Sequence, residues 1–313
     1  MNQRSVAKRP DAVMVVGGAG FLGSHIVDRL LSENSRVDVV DDLSSGSLSN
    51  LAAARSSSTE GALRIHTLDV TIPEFADVVR LRRPEVMYVT SLLAPTLRDS
   101  VGCTKSYAMA VAVFEAAVQA KVGKVIVTLP AAVLYGDVPT RELPIKEDRE
   151  RRPVGLPGVT ANAIIELCES YRRDHGIEFT VLALPTVYGP RQQINNNVVS
   201  AFMAARASLN EPTIFGDGKQ TRDFLFVDDA ADAASRACAK GGGLVLHIGT
   251  GQQTSIKDLW QVIGQGLTAT TAVKPAHSLQ RFALSASRAR LHLGWSSWTT
   301  LTDGLDRMSP EKN

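Results

Sequence analysis

Gly17-Gly18-Ala19-Gly20-Phe21-Leu22-Gly23 stands where the period of the sequence changes. Before it, Val13–Val16 is an unbroken apolar run of the kind carried by a buried parallel strand. After it, Phe21–Glu33 places apolar residues at helical spacing. A strand that passes into a helix through Gly17, Gly20 and Gly23 satisfies three steric needs. The first glycine permits a tight turn, the second lets backbone approach a ligand, and the third lets helix and strand pack closely. The unpaired N–H groups of the helix's first turn, Phe21 and Leu22 among them, then form an anion site suited to a pyrophosphate.

Working outward, the same alternation repeats. Val37–Val40, Leu63–Leu68, Val86–Thr90, Val125–Thr128 and Phe179–Leu184 read as further buried strands, with helices predicted at Pro73–Arg82, Thr104–Lys121 and Thr160–His175. This pattern specifies an α/β fold, a doubly wound parallel Rossmann sheet with its ligand site at the carboxyl ends of the strands. Beyond Pro185 glycine and proline become frequent, and short helices (Asn197–Ser208, Ile256–Gly264) mix with isolated strands such as Leu244–Ile248. The expected division is a dinucleotide-binding domain over 1–185 and a smaller mixed α/β C-terminal substrate lobe over 186–313.

The second strand ends at Asp41, 24 residues after Gly17. A carboxylate there accepts both hydroxyls of an adenosine ribose and repels a 2′-phosphate, which selects NAD over NADP. Composition narrows the remaining classes. With 44% apolar residues, 21% charged residues and a net charge of +2, the chain offers no field for a polyanion, so no nucleic-acid partner is expected. Cys103, Cys168 and Cys238 are far apart and odd in number, and no Cys/His spacing suggests a metal. The first apolar stretch, Ala12–Val16, is too short for a signal core or a membrane span. A cytoplasmic protein with reduced thiols and no membrane partner is the expectation.

Several segments together carry a family resemblance: Val40-Asp41-Asp42-Leu43-Ser44-Ser45-Gly46, Val187-Tyr188-Gly189-Pro190-Arg191-Gln192, Phe215-Gly216-Asp217-Gly218, Thr221-Arg222-Asp223-Phe224, His247-Ile248-Gly249-Thr250-Gly251 and Leu293-Gly294-Trp295. The chain resembles the extended short-chain dehydrogenases of the NAD-dependent epimerase/dehydratase type, which act on nucleotide sugars, over nearly its whole length. The resemblance implies that Asp42 joins Asp41 at the cofactor and that Asp69 and Val70, at the end of the third strand, lie near the adenine. Helix capping is the alternative for Asp69. It also implies that Arg222 pairs with the diphosphate of a nucleotide sugar, oriented by Asp223, and that Asn196 within Asn195–Asn197 touches the same ligand. Helix capping is again the alternative for the asparagines. A homodimer through the helices Thr104–Lys121 and Thr160–His175 follows from the same likeness.

The resemblance breaks at the chemistry. The family uses a tyrosine, a lysine four residues later, and a Ser or Thr after the fifth strand, to move a proton as hydride passes to or from NAD. Without gaps, those positions fall on Pro157, Ala161 and Ala131. Four residues beyond the five tyrosines stand Leu92, Val111, Pro139, His175 and Gln192, so no YxxxK exists elsewhere in the chain. Further departures cluster at the same end: Val89-Thr90-Ser91-Leu92 for H-L-A-A, and Ser106, Ala183 and Thr186 in place of Asn, Arg and Asn. Tyr135 and Thr160 remain as candidate catalytic hydroxyls, against a packed tyrosine and an isolated threonine. Three functions stay open: an enzyme with rebuilt catalytic groups, a non-redox enzyme on the same scaffold, and a silent NAD- or nucleotide-sugar-binding paralogue acting through a partner.

Overall fold

The apolar runs pair side by side as their composition dictates. The computed structural model describes residues 10–94, 96–194, 197–273 and 279–308. Its first six strands are β1 (Ala12–Val16), β2 (Arg36–Asp41), β3 (Leu63–Thr67), β4 (Val86–Val89), β5 (Lys124–Pro130) and β6 (Glu178–Leu184). Between them run α1 (Phe21–Ser32), α2 (Ala52–Ser57), α3 (Pro73–Arg82), α4 (Ser100–Ala120), the short α5 (Ala132–Tyr135) and α6 (Gly155–His175). Beyond Pro185 come β7 (Thr186–Tyr188), α7 (Val198–Ala207), β8 (Thr213–Phe215), β9 (Thr221–Arg222), β10 (Phe224–Phe226), α8 (Val227–Ala237) and β11 (Leu244–His247). The remainder is β12 (Thr254–Ser255), α9 (Ile256–Gly264), β13 (Thr270–Ala272), α10 (Ser287–Leu293) and α11 (Leu301–Asp306).

Seven strands form one parallel sheet in the order β11-β6-β5-β4-β1-β2-β3. The order reverses between β1 and β4, and the glycine loop leaves β1 beside that point. One face packs α3, α4 and α6 around Phe75, Val113, Phe114, Ile164 and Phe179. The other packs α1, α8 and α10 around Ile26, Leu30, Ile126, Ala233 and Trp295. Every β1 residue is buried, and each fully buried valine contributes about 1.5–3 kcal/mol. A third core gathers Tyr188, Phe202, Ile214, Phe224, Phe226 and Trp260.

The structure differs from the sequence expectation in three places. Leu244–Ile248 is not an isolated lobe strand, because β11 pairs in parallel with β6 as an edge of the main sheet. It is delivered there by α8, whose small residues Ala230, Ala233, Ala234 and Ala237 are buried and let that helix lie closely against α1. The sheet layer therefore takes up chain from beyond residue 186. Helix α4 begins at Ser100 rather than Thr104, because Asp99 caps it by accepting from Gly102 N at 2.8 Å. Helix α6 begins at Gly155 rather than Thr160, since Pro157 falls in the first turn, where no N–H partner is needed. By length and composition α4 could cross a bilayer, yet it lies against α3 and α6 with Cys103, Ala110, Val113 and Phe114 buried.

Candidate functional site

The glycine loop has the geometry its spacing requires. Gly17 has φ +78°, and a Cβ there would stand 2.7 Å from Ser91 Cβ. A Cβ on Gly23 would stand 2.0 Å from the carbonyl oxygen of Gly17, so helix and strand close only around a glycine. Gly20 is the N-cap of α1; it offers no side-chain cap, and the first turn holds no acidic residue. The positive end of the helix is thus left for an outside anion. The Thr90 hydroxyl donates to Val16 O and Gly17 O, fixing the loop against β4.

At the end of β2, Asp41 is buried. Its Oδ2 accepts from Ala19 N at 2.9 Å and its Oδ1 from Leu43 N at 2.9 Å. Each carboxylate oxygen keeps a second lone pair, the capacity a ribose diol uses. The segment after it folds back over the glycine loop, with Ser47 N and Asn50 Nδ2 both donating to Ala19 O. Asp42 Oδ1 accepts from Ser44 N and Oγ, and Asp69 Oδ1 accepts from Thr71 N and Oγ1. Lys105 of α4 bridges these two carboxylates, at 3.1 Å from Asp42 and 3.0 Å from Asp69. Val70 is buried beside them in the sheet core. Phe21 and Leu22 pack their side chains against the core around Tyr188 and Phe226. These observations fit a dinucleotide: a cradle that a Cβ would fill, an uncapped helix end and a carboxylate at the β2 terminus.

The other end of the strand edge is closed. Tyr135 is 3% exposed, and its hydroxyl lies 2.8 Å from Nε2 of the fully buried His247. His247 Nδ1 faces Ile145 O at 3.1 Å, a pure acceptor, so Nδ1 carries the proton and Nε2 accepts from the tyrosine. Burial pushes the tyrosine up to about 12. Burial, aided by the charge of Arg288, pushes the imidazole down to about 4. Thr160 donates to Leu156 O within its own helix at 2.9 Å, and Thr128 reaches Val89 O at 3.5 Å. Pro157 and Ala161 are buried on α6, and Ala131 is buried where β5 meets α5. A Cβ on Gly158 would come within 2.4 Å of Val133 O, so α6 and α5 lie in close contact here. Ser106 still ties α4 to the loop after β4, accepting from Leu93 N at 3.4 Å.

On β9, the half-buried Arg222 donates from Nη1 to Thr221 O at 2.8 Å, and burial lowers its pKa despite the nearby Asp137. Among the described residues it makes no ion pair. Asp223 does not orient it, contrary to expectation. Fully buried, Asp223 instead accepts from Thr250 N, Thr250 Oγ1, Gly251 N and Leu284 N, joining β10 to the 249–251 turn. Asn197 takes the capping role, with Oδ1 accepting from Val199 N and Ser200 N and Nδ2 donating to Val187 O. Asn196, Asn195 and Lys274 lie outside the described residues.

Residues 13–249 match the model of the NAD dependent epimerase/dehydratase family. The chain belongs to this family. Among its relatives, the UDP-glucose 4-epimerase of Mycolicibacterium smegmatis is 32% identical over 303 residues, spanning 93% of this chain and 95% of that one. A putative UDP-glucose 4-epimerase of Methanocaldococcus jannaschii is 29% identical over 304 residues, spanning 95% and 96%. The Thermotoga maritima UDP-glucose 4-epimerase, solved with UDP-glucose, superposes with a TM-score of 0.85 at 28% identity, covering 95% and 96% of the two chains.

Family membership makes NAD the cofactor, as the glycine loop and Asp41 implied. Two residues along this strand-end edge escaped the sequence reading. His247 was legible only as part of a motif, and its partner Tyr135 is 112 positions away. Lys105 sits on a helix with no local acidic neighbour to mark it.

Proposed function

We propose that this chain binds NAD and a nucleoside-diphosphate sugar but does not carry out the family's hydride chemistry, for want of the tyrosine–lysine pair. The observation that carries this reading is the state of the α5–α6 end, where Pro157 and Ala161 occupy the expected pair and the hydroxyls of Tyr135, Thr128 and Thr160 all serve protein acceptors. Bound NAD supplies a hydride acceptor and donor. The protein's part at the other end is to bind. Gly17, Gly20 and Gly23 with the Phe21 and Leu22 amides take the pyrophosphate, Asp41 the ribose, and Asp42, Asp69 and Val70 line the adenine end. Arg222, desolvated and making no ion pair among the described residues, is suited to the sugar nucleotide's diphosphate. Relatives named as UDP-glucose 4-epimerases support a uridine nucleotide. Asn196 is kept as a candidate contact to that ligand.

Tyr135 is assigned no proton transfer, because its hydroxyl is a weakened acid bound to a neutral imidazole. Cys103 and Cys168 are thiols buried in the core, which suits the cytoplasm. A homodimer through α4 and α6 is part of this reading; Val101 and Val159 expose 78% and 57% of their surface there. Calorimetric titration tests the binding claim. UDP-glucose should bind the NAD-loaded protein, and Arg222→Ala should weaken it by about 1.5–3 kcal/mol while leaving NAD affinity unchanged. Equal UDP-glucose affinity in the variant would remove Arg222 from the site.

A further inference from the structure

Lys105 reaches from α4 across to the ends of β2 and β3 and holds two carboxylates at once. Both are fixed from behind, since each closes a turn onto the residue two positions on, Asp42 onto Ser44 and Asp69 onto Thr71. Their remaining oxygens, Oδ2 in each case, converge on one ammonium. Burial opposes ionisation of both carboxyls, but the hydrogen bonds from Ser44 and Thr71, with Lys105 adding to them, lower both pKa values, and Asp69 and Asp42 raise that of the lysine.

The place of this bridge matters more than its strength. Asp42 follows Asp41, which accepts from Ala19 of the glycine loop. Asp69 follows the strand paired with β2, and Leu68 N donates to Asp41 O at 3.2 Å. Asp41, Asp42 and Asp69 therefore share one strand-end edge, beside a loop shaped for an anionic pyrophosphate. Three carboxylates there repel the ligand that the loop attracts, and the Lys105 ammonium stands between two of them.

We propose that Lys105 is a positioning residue that sets dinucleotide affinity and selectivity, offsetting Asp42 and Asp69 so that a dinucleotide can approach Asp41. The proposal rests on the NAD site described above. Its selectivity follows from charge. NADP brings a further phosphate to the ribose beside Asp41, so it feels an uncompensated edge more strongly than NAD does. The side chains are partly exposed, 43% for Lys105, 28% for Asp42 and 30% for Asp69, which makes the effect modest and dependent on salt.

Lys105→Met keeps the length of the stem and removes the charge. Titrations with NAD and with NADP, without substrate or turnover, read the result. The dissociation constant for NAD should rise about five-fold and that for NADP about 25-fold, and both losses should shrink at about 1 M salt, where the screening length is about 3 Å. Lys105→Arg should behave as wild type, and Asp42→Asn in the Met background should recover most of the lost affinity. Unchanged melting of the ligand-free variants separates this from a folding defect. Wild-type protein that binds NAD, with a Met variant that binds equally well or loses NAD and NADP alike at every salt concentration, overturns the role of Lys105 alone. Wild-type protein with no affinity for NAD overturns the cofactor site, and this role with it.

Discussion

The adenosine end and the α5–α6 end of the same sheet edge differ in what their polar groups are left to do. Around Gly17–Gly23 a helix terminus is uncapped and the Asp41 carboxylate retains lone pairs, so the protein's hydrogen bonding is unfinished. Around Tyr135 and α6 the hydroxyls are already engaged within the protein. Binding and chemistry are thus separable within this fold. On the proposed function, the first rests on backbone geometry and the end of β2, and the second on side chains of α6, where Pro157 and Ala161 stand with the sheet intact. The two ends should accordingly respond to mutation in opposite ways, one losing ligand and the other losing stability.

The largest effect belongs to Gly23→Val. Its Cβ would meet Gly17 O at 2.0 Å, and no rotamer change relieves a clash with backbone. The loop must shift, at a cost of about 1–3 kcal/mol or more, and thermal shift by NAD should vanish. Retention of that shift would show that the cradle is not where NAD binds.

The closed end should instead be sensitive to acid. The folded pKa of His247, about 4, lies below its ordinary value of 6.5. Between those values the unfolded chain binds the extra proton, so stability is complete above pH 6.5 and falls by about 3 kcal/mol as the pH drops toward 4. His247→Gln should flatten this slope in equilibrium denaturation. A slope unchanged in the variant would mean that His247 is not buried as a neutral base.

Asp41→Asn comes next. Losing a charged acceptor for the ribose hydroxyls should weaken NAD by about 1.5–3 kcal/mol and narrow the gap between NAD and NADP. The smallest change is expected for Tyr135→Phe, about 1 kcal/mol of stability from the lost bond to His247, with NAD affinity unmoved. A loss of ligand binding without a loss of stability would reverse the assignment of Tyr135.

The sheet was legible because its central strands are short apolar runs whose burial on both faces leaves little choice of pattern, and because Gly17, Gly20 and Gly23 sit at a spacing that lets a strand close onto a helix. Strand β11 was legible as a strand but not in its place, since pairing with β6 is a long-range choice that depends on how α8 packs against α1. The cofactor end could be read from local spacing. That the chain holds no YxxxK could be read as well, because it is a property of the linear chain. What the linear chain concealed were contacts between distant segments: Tyr135 with His247, Lys105 with Asp42 and Asp69, and Asp223 with the 249–251 turn instead of with Arg222.

The most direct test of the separation is optical. Purified protein loaded with one equivalent of NAD, its binding confirmed by calorimetry, is mixed with excess UDP-glucose and followed in the NADH absorbance band. Bound NAD, no NADH band and no UDP-galactose are the expected result. An NADH band or an epimerised sugar would contradict it, and would mean that some other group in this cleft moves the proton.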